Sequence, residues 1–353
     1  MRKTETLSHK TYAGLDVAKF LCALLILFYH YFSEHGILPG ILGEALSLYA
    51  IAVALFMAIS GFLTFNKLES VSDYQNRWKI VKKQALRILR IYALWSIPYL
   101  IYTVFSWDWQ TITLKFVLWQ VRGWIFGSTF YTIWFMPSLA LGLVFTFFVT
   151  EKLPKYAVNL LATVLYIIGS LTMTYSYFGD MIPGFSIVKM IITDWLGGSR
   201  GWLVYAFPLI MVGRRMAKHK EKVSTLKTAA LSFVFVFLIL IEALLLRRAA
   251  GHTGIDMTLM MLPSVYCILG FLISLKIPSG TYCLWIRKMS ILIFMSQRLF
   301  LTVLPNLFSE FFNKYIFTNY YAGAVIIGVF VIGFSALIIL CSEKFSVLKK
   351  LYS

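Results

Sequence analysis

Residues 14–34 combine a strongly apolar stretch with four ionisable side chains. The segment GLDVAKFLCALLILFYHYFSE is long enough to cross a bilayer, yet it contains Asp16, Lys19, His30 and Glu34. A helix turns by about 100° per residue, so Lys19 and His30 lie within about 20° of each other and Asp16 and Glu34 within about 40° of His30. Ionisable groups inside a membrane helix are costly and mark functional sites. We therefore treat this stripe, with Lys19 and His30 about 16 Å apart along the axis, as the candidate site.

The composition is that of a membrane protein. Of the 353 residues, 59% are hydrophobic and 14% are charged, and the mean hydropathy is +0.78. Soluble proteins are about 45–50% apolar and about 25% charged. The net charge of +18 is explained by basic cytoplasmic loops. We therefore expect a lipid bilayer as a partner and no nucleic acid.

The apolar runs predict an all-α, polytopic transmembrane helix bundle. A spanning helix needs about 20 mostly apolar residues. About ten runs qualify, at residues 15–33, 45–65, 87–105, 131–149, 156–177, 201–213, 228–246, 257–275, 290–309 and 321–341. Segment 112–126 is too short and too charged to span, so it is predicted to be an interfacial or re-entrant helix. Because no linker or repeat divides the chain, residues 1–353 are predicted to form a single membrane-embedded domain.

The distribution of charge predicts that both termini face the cytoplasm. With this orientation most lysines and arginines fall in cytoplasmic segments, as the positive-inside rule requires. The four cysteines form neither a metal-binding spacing nor a disulfide framework, so no metal site is predicted. No cleavable signal peptide is expected, since the first apolar run lacks a small-residue cleavage site.

His30 and Glu34 are the candidate catalytic residues. Histidine titrates near neutrality and can take and return a proton. Glu34 follows four residues later on the same helix face and can orient or charge-stabilise the imidazole. Two simpler interpretations stay open: a histidine that only forms a structural hydrogen bond, and a glutamate at a solvated helix end.

Lys19, Arg87 and Arg90 are candidates for binding an anionic ligand. Lys19 faces a polar cavity, pairs with Asp16, which stands three residues earlier, or extends along the helix to place its ammonium at the membrane surface. Arg87 and Arg90 share a helix face at the edge of the third apolar run, and guanidinium groups suit phosphate recognition. The neighbouring surface lysines are adequately explained by the membrane topology and by anionic lipid headgroups.

Further polar or small residues interrupt other apolar runs. Ser60 and Gly61 end the second run, where close helix packing is more expected than chemistry. Trp134 belongs either to the interfacial aromatic belt or to a pocket wall. Arg298 lies within the ninth run and is expected to face the bundle interior and pair with an acid. The carboxylates considered as partners are Asp194, Glu242 and Asp256.

The first apolar run resembles the start of the acyltransferase-3 family of integral membrane acyltransferases. In that family a basic residue of the first helix is followed eleven positions later by a histidine, and Lys19 and His30 keep this spacing. The basic residue is commonly arginine. Lysine in a "D-x-A-K" context resembles the branch of sugar O-acetylases and enterobacterial-common-antigen-type acetyltransferases.

Four later segments resemble the family in the same order. ALFMAISGFL is similar to its "FF-x-x-SGF" signature, and YTIWFMPSLAL is similar to its "LWFL-x-x-L" segment. RILRIYALW resembles the "R-x-x-R-x-x-P" entry to the third helix, with Ala93 in place of proline. SILIFMSQRLF resembles the C-terminal "S-x-x-x-Y-L-x-H" stretch, with Gln297 where histidine often stands.

The resemblance implies a multi-pass enzyme of the bacterial plasma membrane. Family members move an acyl group from cytoplasmic acyl-CoA, acetyl-CoA in this branch, to a hydroxyl of a cell-surface or lipid-linked glycan. No permanently bound cofactor is implied. We also expect the chain to lack the soluble esterase-like or racemase-like domain of some relatives.

Combined with the stripe, the resemblance yields a mechanistic hypothesis. Lys19, Arg87 and Arg90 would bind the acyl-CoA phosphates, and the extended thioester arm would reach His30, which acts as a general base or relays the acyl group. The alternative is a multi-span exporter or flippase of a polysaccharide or lipid-linked sugar.

Overall fold

The computed structural model of the chain describes residues 12–36, 48–251 and 254–353. Within these ranges the regular structure is helical and contains no β-strand, which confirms the predicted all-α fold class. The helices named below are α1 (Ala13–Glu34), α2 (Tyr49–Leu68), α3 (Tyr74–Phe105), α4 (Leu114–Phe126), α5 (Phe135–Lys152), α6 (Lys155–Thr172), α7 (Phe207–His219), α8 (Thr225–Ala250), α9 (Met261–Ser274), α10 (Thr281–Arg298) and α11 (Tyr320–Lys344).

Eight helical stretches in the described part of the chain are long and apolar enough to cross a membrane. They coincide with eight of the predicted spans. The other two predicted spans, 201–213 and 257–275, correspond to shorter helices, α7 and α9. The 14 residues of α9 reach only about 21 Å, less than the roughly 30 Å of a bilayer core. The ten-span count and the placement of both termini in the cytoplasm stay predictions.

Helix α3 begins well before the apolar run from which it was predicted. Asp73 caps it, since the side chain accepts a hydrogen bond from the backbone N–H of Asn76 at 2.8 Å. The helix therefore continues for 32 residues and carries the basic segment as its first turns. This geometry holds Arg87 and Arg90 on a rigid helix rather than on a loop.

The segment predicted to be interfacial is the 13-residue helix α4. Thr113 caps it by accepting a hydrogen bond from the N–H of Phe116 at 3.2 Å. Leu114, Leu118 and Ile125 are exposed on its surface. Its position at the membrane interface stays a prediction.

Helices α2 and α7 pack in close backbone contact at the centre of the bundle. A Cβ at Gly61 would lie 2.6 Å from the carbonyl oxygen of Ile210, and one at Gly213 would overlap the carbonyl oxygen of Ala58. Glycine at both positions lets the two helices approach closely, as is common in membrane bundles. Gly61 therefore serves helix packing.

Candidate active site

The acidic members of the α1 stripe pair with two arginines of α10. Asp16 accepts two hydrogen bonds from Arg287, from Nε at 2.8 Å and from Nη2 at 2.6 Å. Glu34 forms an ion pair with Arg298. Because each pair joins corresponding ends of the two helices, α1 and α10 run in the same direction. The carboxylates thus neutralise arginines, and the ion pair of Asp16 is with Arg287 rather than with Lys19.

A cavity of about 100 Å³, here called the basic cavity, adjoins the Asp16 end of the stripe. Three cationic side chains, Lys19, Arg87 and Arg287, line it. Among the described residues no hydrogen bond or ion pair is formed by the Lys19 ammonium. The other lining residues are Phe56, Ser60, Gln84, Ile88, Ile91, Phe135, Met136, Leu139, Ser290, Ile291 and Phe294. A cavity with this lining suits an anionic head attached to an apolar or thin chain.

The two arginines of α3 lie in different surroundings. Arg87 is in the wall of the basic cavity and donates to the carbonyl oxygen of Tyr352 at 3.1 Å. Arg90 is exposed, lies outside the cavity wall and donates to the backbone oxygen of Ser353. The sequence grouped these residues as one anion site, but the structure brings only Arg87 to Lys19.

A second, smaller cavity of about 20 Å³, here called the histidine pocket, lies at the His30 end of the stripe. Its wall consists of Ile26, His30, Tyr49, Val53, Thr132, Trp134, Arg200, Asp256 and Phe294. Trp134 is therefore a pocket residue, and the Arg200 guanidinium lies 5.8 Å from the centroid of its ring.

A charged network forms one side of the histidine pocket. Asp256 accepts from Tyr49 Oη at 2.9 Å through Oδ1 and from Arg200 Nη2 at 2.9 Å through Oδ2. Burial opposes the charge of Arg200, but Asp256 outweighs it and the pKa of the guanidinium is raised. Arg200 is therefore a permanent cation beside His30.

Two donors of this pocket are left without a hydrogen-bond partner within the described ranges. These are the hydroxyl of Thr132, a residue with 5% of its surface exposed, and Nε of Arg200. Buried donors normally have partners, and an unsatisfied one costs about 1–3 kcal/mol. A ligand oxygen in the histidine pocket is the kind of acceptor that either donor needs.

Arg298 contacts His30 as well as Glu34. Its Nη2 lies 3.1 Å from Nδ1 of His30. A guanidinium only donates, so Nδ1 is the acceptor and a neutral His30 carries its proton on Nε2. Before the ring can take up a proton on Nδ1, Arg298 must move away from this atom and the proton donor must take its place. Among the described residues no hydrogen bond joins Glu34 to the imidazole, so the two side chains are linked through Arg298.

Several residues of the site were not identified from the sequence. Arg287 is eleven residues before Arg298, the same spacing as between Lys19 and His30. This repeated spacing is the sequence feature from which Arg287 could have been identified. Tyr49, Arg200 and Asp256 belong to distant segments, so no spacing relates them. Asp256, considered as a partner for Arg298, pairs with Arg200 instead. Within the described residues, no cluster of histidine, cysteine or acidic side chains has the arrangement of a metal site.

Comparison with known proteins finds similar segments in longer proteins. An amino-acid racemase of Enterococcus faecalis is 26% identical over 260 residues, covering 72% of this chain and 36% of the relative. A serine/alanine racemase of Enterococcus gallinarum is 26% identical over 240 residues, covering 65% and 32%. The chain therefore spans about a third of the length of these curated relatives. No solved structure matches it.

A family model described as an acyltransferase domain matches residues 12–340. The match includes α1 with Lys19 and His30, the α2 segment with Ser60 and Gly61, and α10 with Arg298. The chain thus belongs to the acyltransferase-3 family of multi-pass membrane proteins.

Proposed function

We propose that this chain is a membrane O-acyltransferase of the bacterial plasma membrane. It would move an acetyl group, or another short acyl group, from cytoplasmic acyl-CoA to a hydroxyl of a cell-surface or lipid-linked glycan. One observation carries the proposal: the basic cavity and the histidine pocket share the wall residue Phe294 and adjoin opposite ends of the α1 stripe. The family membership supports it.

The donor would bind with its phosphates in the basic cavity. Lys19, Arg87 and Arg287 supply the positive charge there, and guanidinium groups bind phosphate through paired N–H donors. Lys19 and His30 are about 16 Å apart along α1, a distance that an extended pantetheine arm can span. The thioester would then lie near the histidine pocket while the phosphates remain at the other end. Arg90, outside this cavity, is not part of the proposed site.

The transfer step would take place in the histidine pocket. The acceptor hydroxyl oxygen attacks the thioester carbonyl carbon, the carbon–sulfur bond breaks, and CoA leaves as a thiolate. His30 accepts the hydroxyl proton on Nδ1, after the hydroxyl displaces Arg298, and returns it to the thiolate. Arg298 stays paired with Glu34 during this exchange.

The oxyanion of the tetrahedral intermediate needs hydrogen-bond donors. The Thr132 hydroxyl and Nε–H of Arg200 both belong to the histidine pocket and have no partner among the described residues. Donors already in place where negative charge develops contribute strongly to acyl transfer. We therefore assign Thr132 and Arg200 to the oxyanion, and Asp256 to holding Arg200 in position.

A reconstituted assay tests the proposal. The purified protein is placed in lipid vesicles with labelled acetyl-CoA and a lipid-linked sugar extract, and both CoA release and labelled product are measured. We expect the wild type to consume acetyl-CoA in an acceptor-dependent way and folded His30→Ala to lose this activity. Equal activity in the two proteins would contradict the role of His30. Labelled protein accumulating without acceptor would indicate an acyl-His30 relay instead of direct attack.

The same assay separates two other functions. An exporter or flippase would also use a polar path through the bundle, but it would move the sugar without consuming acetyl-CoA. The similar proteins of Enterococcus are named racemases, and the segment that they share with this chain makes up about a third of their length. Serine and alanine racemisation is therefore measured in the same preparation. In a strain with the gene deleted, mass spectrometry of surface glycans should show the loss of an ester group.

A further inference from the structure

Three phenylalanine rings meet between the basic cavity and the histidine pocket. The ring centroids of Phe56 and Phe135 are 5.9 Å apart, those of Phe56 and Phe294 6.0 Å, and those of Phe135 and Phe294 5.4 Å. Phe135 and Phe294 have only 5% and 7% of their surface exposed. All three rings line the basic cavity, and Phe294 also lines the histidine pocket. We call this group the phenylalanine constriction.

The order of residues along the helices places the constriction between the cavities. In α2, Tyr49 and Val53 of the histidine pocket come first, then Phe56, then Ser60 of the basic cavity. Leading into α5, Thr132 and Trp134 of the histidine pocket precede Phe135, and Met136 and Leu139 of the basic cavity follow.

Helix α10 passes the two cavities in the reverse sequence, with the phenylalanine constriction again between them. Arg287, Ser290 and Ile291 line the basic cavity, and Phe294 then reaches the histidine pocket. On α1, Lys19 lies at one side of this level, and Ile26 and His30 lie at the other. A molecule that extends from one cavity to the other must therefore pass Phe294.

We propose that the phenylalanine constriction is the passage for the acyl end of the donor, and that Phe294 limits the length of the acyl group that is transferred. This inference rests on the proposed function. An apolar ring cluster disfavours the charged phosphates, because moving a charge into a low-dielectric region is costly, but it admits a thin uncharged arm. The phosphates would thus stay beside Lys19 while the thioester passes towards His30.

The size of the histidine pocket explains why a short acyl group is favoured. A volume of about 20 Å³ is enough for about one or two water-sized groups. An acetyl group fits this space after a small ring movement, whereas a longer chain meets the Phe294 ring or the opposite wall.

Substitutions at Phe294 test the passage, with Phe145 as the matched control. Phe145 also lies in an aromatic cluster, 5.2 Å from Trp202 and 5.0 Å from Phe207 between ring centroids, but it lines neither cavity. Transfer rates are measured with acetyl-, butyryl- and hexanoyl-CoA, and acyl-CoA affinity is measured separately. All variants are first checked for wild-type elution in size-exclusion chromatography.

Opposite effects are expected from a smaller and a larger side chain. Phe294→Ala should raise the ratio of hexanoyl to acetyl transfer by about tenfold or more, since a few methylenes in an apolar pocket discriminate by that amount. Phe294→Trp should lower transfer of all three groups by about tenfold or more while acyl-CoA affinity stays within about threefold of wild type. Phe145→Ala and Phe145→Trp should match the wild-type ratios. Unchanged selectivity in Phe294→Ala together with unchanged rate in Phe294→Trp would overturn the proposal.

A crosslinking experiment separates this inference from the proposed function. An acyl-CoA with a diazirine on a butyryl end is bound, irradiated, and the labelled peptides are identified by mass spectrometry. Because a butyryl end is longer than the acetyl group that the wild-type pocket admits, we expect label on Met136 or Leu139 in wild type and Phe294→Trp, and on Ile26 or Val53 in Phe294→Ala. Binding and this label pattern without acyl transfer would contradict the proposed function but support the passage. The same label in wild type and Phe294→Ala, or no acyl-CoA binding at all, would refute the passage.

Discussion

Nη2 of Arg298 lies 3.1 Å from Nδ1 of His30, and the same guanidinium forms an ion pair with Glu34. This contact links the end of α10 to the α1 stripe. Because the arginine only donates, it fixes the neutral imidazole with its proton on Nε2. His30 is thus held in one orientation but is not ready to accept a proton on Nδ1. The proposed acceptor hydroxyl must replace Arg298 before the proton can move.

Replacing His30 by glutamine should abolish transfer. Glutamine keeps a hydrogen-bond donor near the pocket but cannot exchange a proton at neutral pH, and general-base catalysis is worth about 10²–10⁴ in rate. We therefore expect His30→Gln to be as inactive as His30→Ala in the vesicle assay. His35→Gln is the control, because His35 bonds to the Tyr31 carbonyl and stacks on the Tyr31 ring outside the pocket wall. Substantial activity in His30→Gln would assign His30 a donor role only.

Replacing Glu34 by glutamine should lower kcat without changing the KM for acyl-CoA. Glu34 pairs with Arg298 at the histidine-pocket end of the stripe and lies outside the basic cavity wall. Losing the ion pair lets Arg298 and His30 shift, and a misplacement of about 1 Å costs up to about a hundredfold in rate. Glu34→Asp should recover part of the rate. An increase in KM alone would show that Glu34 acts on donor binding.

Replacing Arg87 by glutamine should weaken binding of acyl-CoA but not of acyl-pantetheine. Arg87 lines the basic cavity, and hydrogen bonds to charged groups contribute about 1.5–3 kcal/mol, which is about tenfold or more in affinity. Acyl-pantetheine lacks the nucleotide phosphates, so its KM should be unchanged. Arg90→Gln is the matched control on the same helix, since Arg90 lies outside the cavity wall. Equal effects of the two substitutions would contradict the proposed phosphate site.

The features that could be predicted from the sequence depend on spacing within one helix. The eleven-residue separation of Lys19 and His30 placed both on one face, and the structure puts them in the walls of two adjoining cavities. The long apolar runs likewise predicted all eight helical stretches that, in the described part of the chain, are long and apolar enough to cross a membrane. Both signals are local, because the helical period and the length of an apolar run are properties of consecutive residues.

Contacts between helices could not be predicted in this way. Asp16 and Arg287 are separated by 271 positions, and Tyr49 and Asp256 by 207. Their pairing depends on which helices pack together, which one sequence does not reveal. For the same reason Asp256 was considered as a partner for Arg298, whereas the packing of α1 on α10 supplies Glu34. Arg90 was grouped with Arg87 because spacing does not show which arginine faces a cavity.

The ion pair between Asp16 and Arg287 predicts unequal costs for removing either partner. The Asp16 side chain is 3% exposed and that of Arg287 is 42% exposed. Arg287→Gln leaves a buried carboxylate without its partner, at a cost of about 3–5 kcal/mol. Asp16→Asn leaves an arginine that can reach solvent, so we expect a smaller loss of about 1–3 kcal/mol in the free energy of unfolding. Denaturation in detergent should rank the two variants in this order. The reverse order would mean that Lys19 takes over as the partner of Asp16.

Adding one methyl group at Gly213 should destabilise the bundle. A Cβ at this position would overlap the backbone of α2 at Ala58 and Phe62, and backbone atoms cannot move aside as a flexible side chain can. Overpacking of this kind costs about 1–3 kcal/mol, so Gly213→Ala should lower the thermal unfolding midpoint in detergent. Gly333→Ala is the control, because no atom lies within 4 Å of a Cβ there. Alanine also has the higher helix propensity, by about 0.5–1 kcal/mol, so this control should be neutral or stabilising. If both variants unfold at the wild-type temperature, the close approach of α2 and α7 is wrong.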